Sequence, residues 1–344
     1  MTVQFVLPAV IPFGVAPAQE DQALKMVELC GRTAYKSEDR ITVDSAQSFV
    51  LSLKKLGHLS VLEHSNIALK IIGTAGSGIV PSGVRGSLLW QDLIGGLRER
   101  NGFHRVVPLS TGASDDFVIA GNFRSWFETL RWFRANDSRF GHFFGHHLHQ
   151  FYPHLFPAGV VSPSELDFQA ELMDEQEQMA MMRRNPATDL AVFIFKFICD
   201  RGITHEVVRH RVFSFTQEST RYVNYQNRGL VLIVPEELRS FFDDACGELD
   251  QRDPIASMWV ARAKSLYEWY QADLERGLKP EIARDILPNL LKSEIFVSGR
   301  WSGWRHFIQL RDSKKAHPRI REIAREVRKY FESIGLHVTS TEEH

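Results

Sequence analysis

Apolar residues recur at helical spacing early in the chain. "EDQALKMVELCGRTAYKS" (Glu20–Ser37) carries Leu24, Val27, Leu29 and Ala34 on that period and predicts a helix. "DSAQSFVLSLKKLG" (Asp44–Gly57) predicts a second, opened by Asp44 as a cap and closed by Gly57. "NIALKIIG" (Asn66–Gly73) alternates, is β-branched, and predicts a strand. From about 74 to 185 the pattern is less regular. "GTAGSGIVPSGVRGS" reads as a loop or boundary, and "NFRSWFETLRWFRAND" as an amphipathic helix. "SELDFQAELMDEQEQMAMMRRNP" is acidic, then basic, and reads as a solvated stretch.

Order resumes with "TDLAVFIFKFICDRG" (Thr188–Gly202), where Val192, Ile194, Phe195, Phe197 and Ile198 predict a strand. A helical turn, "ITHEVV", follows, then a short strand, "LVLIVP". Helices are predicted over Ala256–Arg276, Pro280–Leu287 and Arg300–Leu310, with a strand-like "LKSEIFVSG" before the last, and a final helix over Ala316–Ile334. No repeat of fixed period and no low-complexity tract is present. The mixture predicts an α+β fold: an antiparallel sheet with flanking helices.

Composition narrows the function. The 344 residues suit one large or two modest domains. A net charge of −1 and a pI of about 6.9 argue against a general nucleic-acid binder, so any anion site must be a local concentration of charge. Cys30, Cys199 and Cys246 form neither a disulfide framework nor a CxxC pair, which fits a reducing compartment. The apolar start is interrupted by Pro8, Pro12 and Pro17 and has no basic residue before Lys25, so it does not read as a secretory leader. No apolar run is long enough to span a membrane. The expectation is a cytoplasmic protein with no membrane partner.

One stretch concentrates charge: "RHRVFSFTQESTRY", Arg209–Tyr222. Arg209, Arg211 and Arg221 are permanent cations able to fork onto phosphate, and His210 can donate without adding a full charge. Ser214, Thr216, Gln217 and Ser219 add neutral donors and acceptors. Such a loop could hold a phosphate and the polar edge of a base. The alternative is a solvated surface cluster.

Three other constellations carry less. "GHLSVLEH" (Gly57–His64) has two histidines and Glu63, but not the HExxH spacing, so a polar turn outweighs a metal. "GHFFGHHLHQFYPH" holds His142, His146, His147, His149 and His154; the interleaved aromatics favour packing over zinc. "ARDILP" and "WRHFIQLRDSKKAHP" bring Arg284, Arg305, His306 and Arg311, which could equally be a basic helix end. GxGxxG, GxxxxGK[ST] and GxSxG motifs are absent.

The charged stretch has the form Arg-His-Arg, seven residues, Ser: Arg209-His210-Arg211, "VFSFTQE", Ser219, then Thr220-Arg221-Tyr222. It resembles the signature of flavin-dependent thymidylate synthases. "GHLSVLEH", "CDRGITHEVVRHRVFSFTQESTRYVNY", "ARDILP" and "WRHFIQLRDSKKAHPRIREIA" resemble other segments of that family, in order, across most of 20–73 and 188–334. The resemblance implies a single thymidylate synthase-like domain over 1–344, with a core at about 20–73 and 188–334 and a long insertion at about 74–187. It implies a methyltransferase that makes dTMP from dUMP. Methylenetetrahydrofolate would give the carbon, and FAD reduced by NADPH the hydride. It also implies a homotetramer with sites between subunits, no catalytic cysteine and no metal.

Residue by residue, the resemblance assigns Arg209, His210, Arg211 and Gln217 to FAD, with His58, Ser60 and His306. Glu206, Arg209, Gln217, Glu218, Ser219, Thr220, Arg221 and Arg284 would form the nucleotide site. Arg311 would favour ionisation at uracil N3, a catalytic role. Three positions depart from the family pattern. Thr216-Gln217 replaces a frequent Asn-Glu, Glu206 stands where many members carry Gln, and Arg300-Trp301-Ser302 replaces an Asn-x-Arg flavin contact. Two alternatives remain: a flavin-dependent C5-methylase or hydroxymethylase of UMP or a related nucleotide, and a non-catalytic nucleotide- or RNA-binding protein.

Overall fold

The computed structural model describes residues 3–73, 93, 97, 104–109, 116–158, 168–226 and 229–338. In chain order its elements are β1 (Val3–Val6), β2 (Ala9–Val15), α1 (Glu20–Tyr35), α2 (Ser45–Leu56), β3 (Ile67–Gly73), β4 (Arg105–Pro108) and β5 (Phe117–Gly121). Then come α3 (Phe123–Asn136), α4 (Ser138–Phe151), β6 (Phe168–Leu172), α5 (Glu175–Arg184), β7 (Val192–Asp200), α6 (Arg201–Val207), β8 (Ser214–Gln217) and β9 (Leu230–Ile233). The chain continues with β10 (Phe242–Asp243), β11 (Glu248–Leu249), α7 (Pro254–Glu275), α8 (Pro280–Ala283), β12 (Lys292–Arg300), α9 (Trp301–Arg311) and α10 (Pro318–Ser333).

Two four-stranded antiparallel sheets organise these elements. One runs β2-β7-β12-β8, the other β4-β5-β3-β6. β7 is an inner strand of the first, paired at both edges, and residues on both its faces are packed into cores, so its sequence is a nearly unbroken apolar run. One face packs Phe193, Phe195, Phe197, Ile295 and Val297 against Trp304, Phe307, Ile308 and Phe331 of α9 and α10. In the second sheet β3 pairs with β5 on one side and β6 on the other, so its partners come from beyond residue 74. Its core joins α1 and α2 to the aromatic faces of α3 and α4. β1 and β9 form a parallel pair, a departure from the antiparallel expectation.

Most predicted elements appear within two residues of their expected ends, but the helix expected over Pro280–Leu287 is only α8 and a 3-10 turn. The stretch read as solvated instead contains β6 and α5. Gln178, Met179 and Met182 of α5 are buried, and Asp174 and Glu177 close a capping box. Its acid-to-base order is the polarity a helix dipole favours. β2 was hidden by Pro12, which an edge strand tolerates where a central one would not. Asp44 occupies the cap position of α2 without a side-chain cap bond, while Gly57 ends that helix in the left-handed region as expected. The Gly- and Ser-rich stretch after Gly73 lies outside the described residues. Among the described residues no helix is long and apolar enough to cross a membrane.

Candidate functional site

The charged stretch is not one loop. Its middle is β8, the edge strand beside β12, with Thr216 opposite Phe296 and Ser214 opposite Ser298. Successive side chains on a strand point to opposite faces, so the motif is divided. Ser214, Thr216 and Glu218 face one way; Phe215 and Gln217 face the other.

On the first face, His64 is fully buried and bridges two strands. Its Nδ1 lies 2.6 Å from Ser298 Oγ and its Nε2 2.8 Å from Thr216 Oγ1. Burial pushes the imidazole down to about 3, so it is neutral at neutral pH. Beside it, Ser214 Oγ donates to Glu63 Oε2 at 2.7 Å. Glu63, Ser214 and Ser298 border a cleft of about 460 Å3, also lined by Arg211, Phe213, Arg300 and Ser302. Gly299 and Gly303 shape its wall: a Cβ on Gly299 would lie 2.2 Å from the Phe213 ring, and one on Gly303 2.9 Å. Arg209 and Arg211 are exposed, and among the described residues no ion pair engages either. Arg300 is committed elsewhere, donating to the carbonyls of Asp189, Leu190 and Ala120. Ser302 bonds the Asp189 carboxylate through its N–H (2.9 Å) and hydroxyl (2.5 Å).

Further along this face the first-sheet strands bury a charge cluster. Lys36, Lys196 and Lys292 converge on Glu294. Burial alone would raise the Glu294 carboxyl, but the three ammonium groups outweigh it and hold it well below the usual range. Glu218 joins them, 3.6 Å from Lys36 and 3.4 Å from Lys292, and its Oε1 accepts from Tyr225. Glu218 is 4% exposed, its carboxylate turned to these partners.

On the second face, Gln217 Nε2 donates to Thr204 Oγ1 (2.9 Å) and Ser293 Oγ (3.0 Å). Nearby, Arg311 Nε donates to His210 Nε2 at 2.9 Å, and its other nitrogens donate to the Glu206 carboxylate (2.8 Å) and carbonyl (3.3 Å). Three of its five N–H donors are thus engaged. Burial, then Arg311 and His306, pull His210 down to about 4, so it accepts from Arg311 as a neutral ring. His210 is 6% exposed and its Nε2 is turned to Arg311. His306 is exposed, its ring 6.2 Å from His210.

A third group gathers past β8. Arg284 Nη1 donates to Thr220 Oγ1 at 3.0 Å, Arg221 lies 4.0 Å from Glu281, and Ser219 Oγ accepts from the Arg221 N–H. His58 and Ser60 are exposed on the turn after α2. The structure thus joins Arg311, His210 and Glu206, and separately Thr220 and Arg284. Among the described residues no hydrogen bond or ion pair links these two groups to each other or to His58 and Ser60. Glu63, His64 and Ser298 are the site groups that sequence reasoning did not place. Strand alternation in "SFTQE" and "KSEIFVS" puts Thr216 and Ser298 on definite faces, but only strand pairing brings the faces together.

The histidine-rich segment is α4 and the turn beyond it. His147 lies against Phe143 and Phe151, His149 Nδ1 meets the Phe156 carbonyl at 2.9 Å, and His154 pairs with Glu20. Among the described residues no three metal-capable side chains converge.

Residues 174–334 match the family described as Thymidylate synthase complementing protein. The chain is 38% identical over 128 residues to the flavin-dependent thymidylate synthase of Corynebacterium glutamicum, covering 36% of this chain and 50% of that protein. It is 33% identical over 128 residues to the enzyme of the same name from Pyrococcus abyssi, covering 37% and 48%. The chain thus spans about half the length of the curated relatives it matches. A crystal structure of the UMP/dUMP methylase PolB from Streptomyces cacaoi aligns at a TM-score of 0.36 and 21% identity, over 47% of this chain and 78% of that one, a likeness too slight to carry an argument. Residues 174–334, which hold the Arg-His-Arg signature, are thus similar to the thymidylate synthase complementing family, and the chain is similar over part of its length to flavin-dependent thymidylate synthases.

Proposed function

We propose that this protein is a flavin-dependent thymidylate synthase, converting dUMP to dTMP with methylenetetrahydrofolate as carbon donor. The observation that carries this reading is the Arg209–Tyr222 signature, inside the region that matches the family and beside a cleft lined from both within and before that region. The cleft suits a flavin ring system: its volume is in the range of small-molecule sites, and Arg211, Ser214 and Ser298 give it polar edges. Arg209 and Arg211 would hold the cofactor's anionic part, and the exposed His58, Ser60 and His306 would contact it. FAD, reduced by NADPH, supplies the hydride when bound.

The remaining roles belong to the chain's own groups. Arg221 and Arg284 offer fixed cations for a nucleotide phosphate, with Ser219 and Thr220 as neutral donors. Arg311 keeps two N–H donors uncommitted. A permanent cation at uracil N3 stabilises negative charge developing on the ring and makes C5 more nucleophilic. Neutral His210 and Glu206 hold the guanidinium in one orientation, so no reorganisation is needed when that charge appears. A homotetramer with sites between subunits accounts for the separation of the cationic groups on one chain. We read residues 74–187 as an addition to a compact catalytic core.

The test is an anaerobic absorbance spectrum of the reconstituted protein, reduced with NADPH and titrated with dUMP. Flavin bleaching altered by dUMP, and dTMP formed on adding methylenetetrahydrofolate, are expected. A protein that binds no flavin overturns the proposal, and so does a strong preference for UMP over dUMP.

A further inference from the structure

Among the described residues, the segment beyond residue 74 touches the cleft at the start of α3. Asn122 lines the cleft and caps α3, its Oδ1 accepting from the Ser125 N–H at 2.8 Å. Ser65 Oγ accepts from the Phe123 N–H at 2.9 Å and donates to the Leu62 carbonyl at 2.7 Å, so the helix start is fastened to the turn that carries Glu63. Arg124, two residues into the helix, donates through Nη1 to Glu63 Oε1 at 2.7 Å, while its Nε bonds Glu128 at 2.9 Å. The other oxygen of Glu63 accepts from Ser214. A continuous chain therefore runs Glu128–Arg124–Glu63–Ser214, from the added helix into the signature strand. Glu63 is a carboxylate only 14% exposed, facing a cleft whose other fixed charges are arginines. Left alone, it would repel an anionic ligand and would gain by turning out to water.

We propose that Arg124 is a positioning residue for the cleft: it neutralises Glu63 and holds it inward, and through Glu63 it fixes Ser214 and the adjoining Arg211–Phe213 wall. The added segment is thereby a working part of the ligand site. FAD as the probe rests on the flavin reading above; the coupling itself does not.

The experiment compares Arg124→Ala, Arg124→Lys, Glu63→Gln and the double variant Arg124→Ala/Glu63→Gln. FAD affinity is read from quenching of flavin fluorescence. Amide hydrogen exchange across Val212–Thr216 is read in the free protein. Arg124→Ala should weaken FAD by about tenfold and speed exchange in that segment. Arg124→Lys should recover part of both. The double variant should return close to wild type, because the amide introduced by Glu63→Gln can still accept from Ser214 and carries no charge to neutralise. A structural role for Arg124 would leave the double variant as impaired as Arg124→Ala, and that result overturns the proposal. Unchanged exchange in Arg124→Ala overturns it as well. If wild type binds no FAD, the flavin reading fails, and the exchange data alone decide whether Arg124 and Ser214 are coupled.

Discussion

Lowering the pH should cost this protein stability through His64, by an amount the structure allows to be worked out. Its imidazole is wholly buried between Ser298 and Thr216 and titrates at about 3, against 6.5 for a free side chain. Below pH 6.5 the unfolded chain takes up a proton that the folded one refuses. The unfolded state therefore binds more protons, and stability falls as pH drops from about 6.5 towards 3. Integrated over that gap, the loss between pH 7 and pH 5 is about 2 kcal/mol from this one residue. The assay is urea unfolding of wild type and His64→Gln at pH 7, 6 and 5, followed by circular dichroism. Other histidines titrate alike in both proteins, so the difference isolates His64. At pH 7 the variant should be the less stable, having lost part of a buried hydrogen-bond bridge, by about 1–2 kcal/mol. By pH 5 that gap should have closed or reversed. A gap that stays constant from pH 7 to pH 5 would refute the reasoning, since it would mean His64 titrates alike folded and unfolded.

Other perturbations test separate parts of the argument. Arg311→Ala should lower turnover by about a thousandfold with FAD affinity nearly intact, measured by single-turnover dTMP formation. The same change should let His210 titrate higher, since Arg311 is second only to burial in holding it down; the His210 ring signals in an NMR titration report this. Gly299→Ala should destabilise the protein by about 1–3 kcal/mol and weaken FAD, because the new methyl group meets the Phe213 ring. Glu294→Gln should cost about 3 kcal/mol or more in thermal unfolding, since it removes the carboxylate on which three half-buried lysines converge and leaves Glu218 to face only Lys36 and Lys292.

Much of the scaffold was legible in the sequence because its elements are locally consistent. Glu20–Tyr35, Ser45–Leu56, Val192–Asp200 and Pro318–Ser333 each carry the period of the structure they form. The misses have physical causes. The strand Ala9–Val15 contains a proline that its edge position tolerates, and the helix Glu175–Arg184 buries so few residues that its end charges dominate its pattern.

For the site, the sequence by itself determined the residue types: permanent cations, hydroxyls and amides crowded into Arg209–Tyr222, in a spacing whose family resemblance needs no coordinates. What those residues face was decided by tertiary structure. A two-residue period in Ser214–Gln217 sends Gln217 to one side of the sheet and Ser214 and Thr216 to the other. Partners then come from far along the chain: Glu63 to Ser214, His64 to Thr216 and Ser298, Arg311 to His210. Local propensity acts over a few residues and carries no information about which strand lies alongside. A buried charge or imidazole acquires its properties from neighbours that only the closed fold brings within hydrogen-bonding distance.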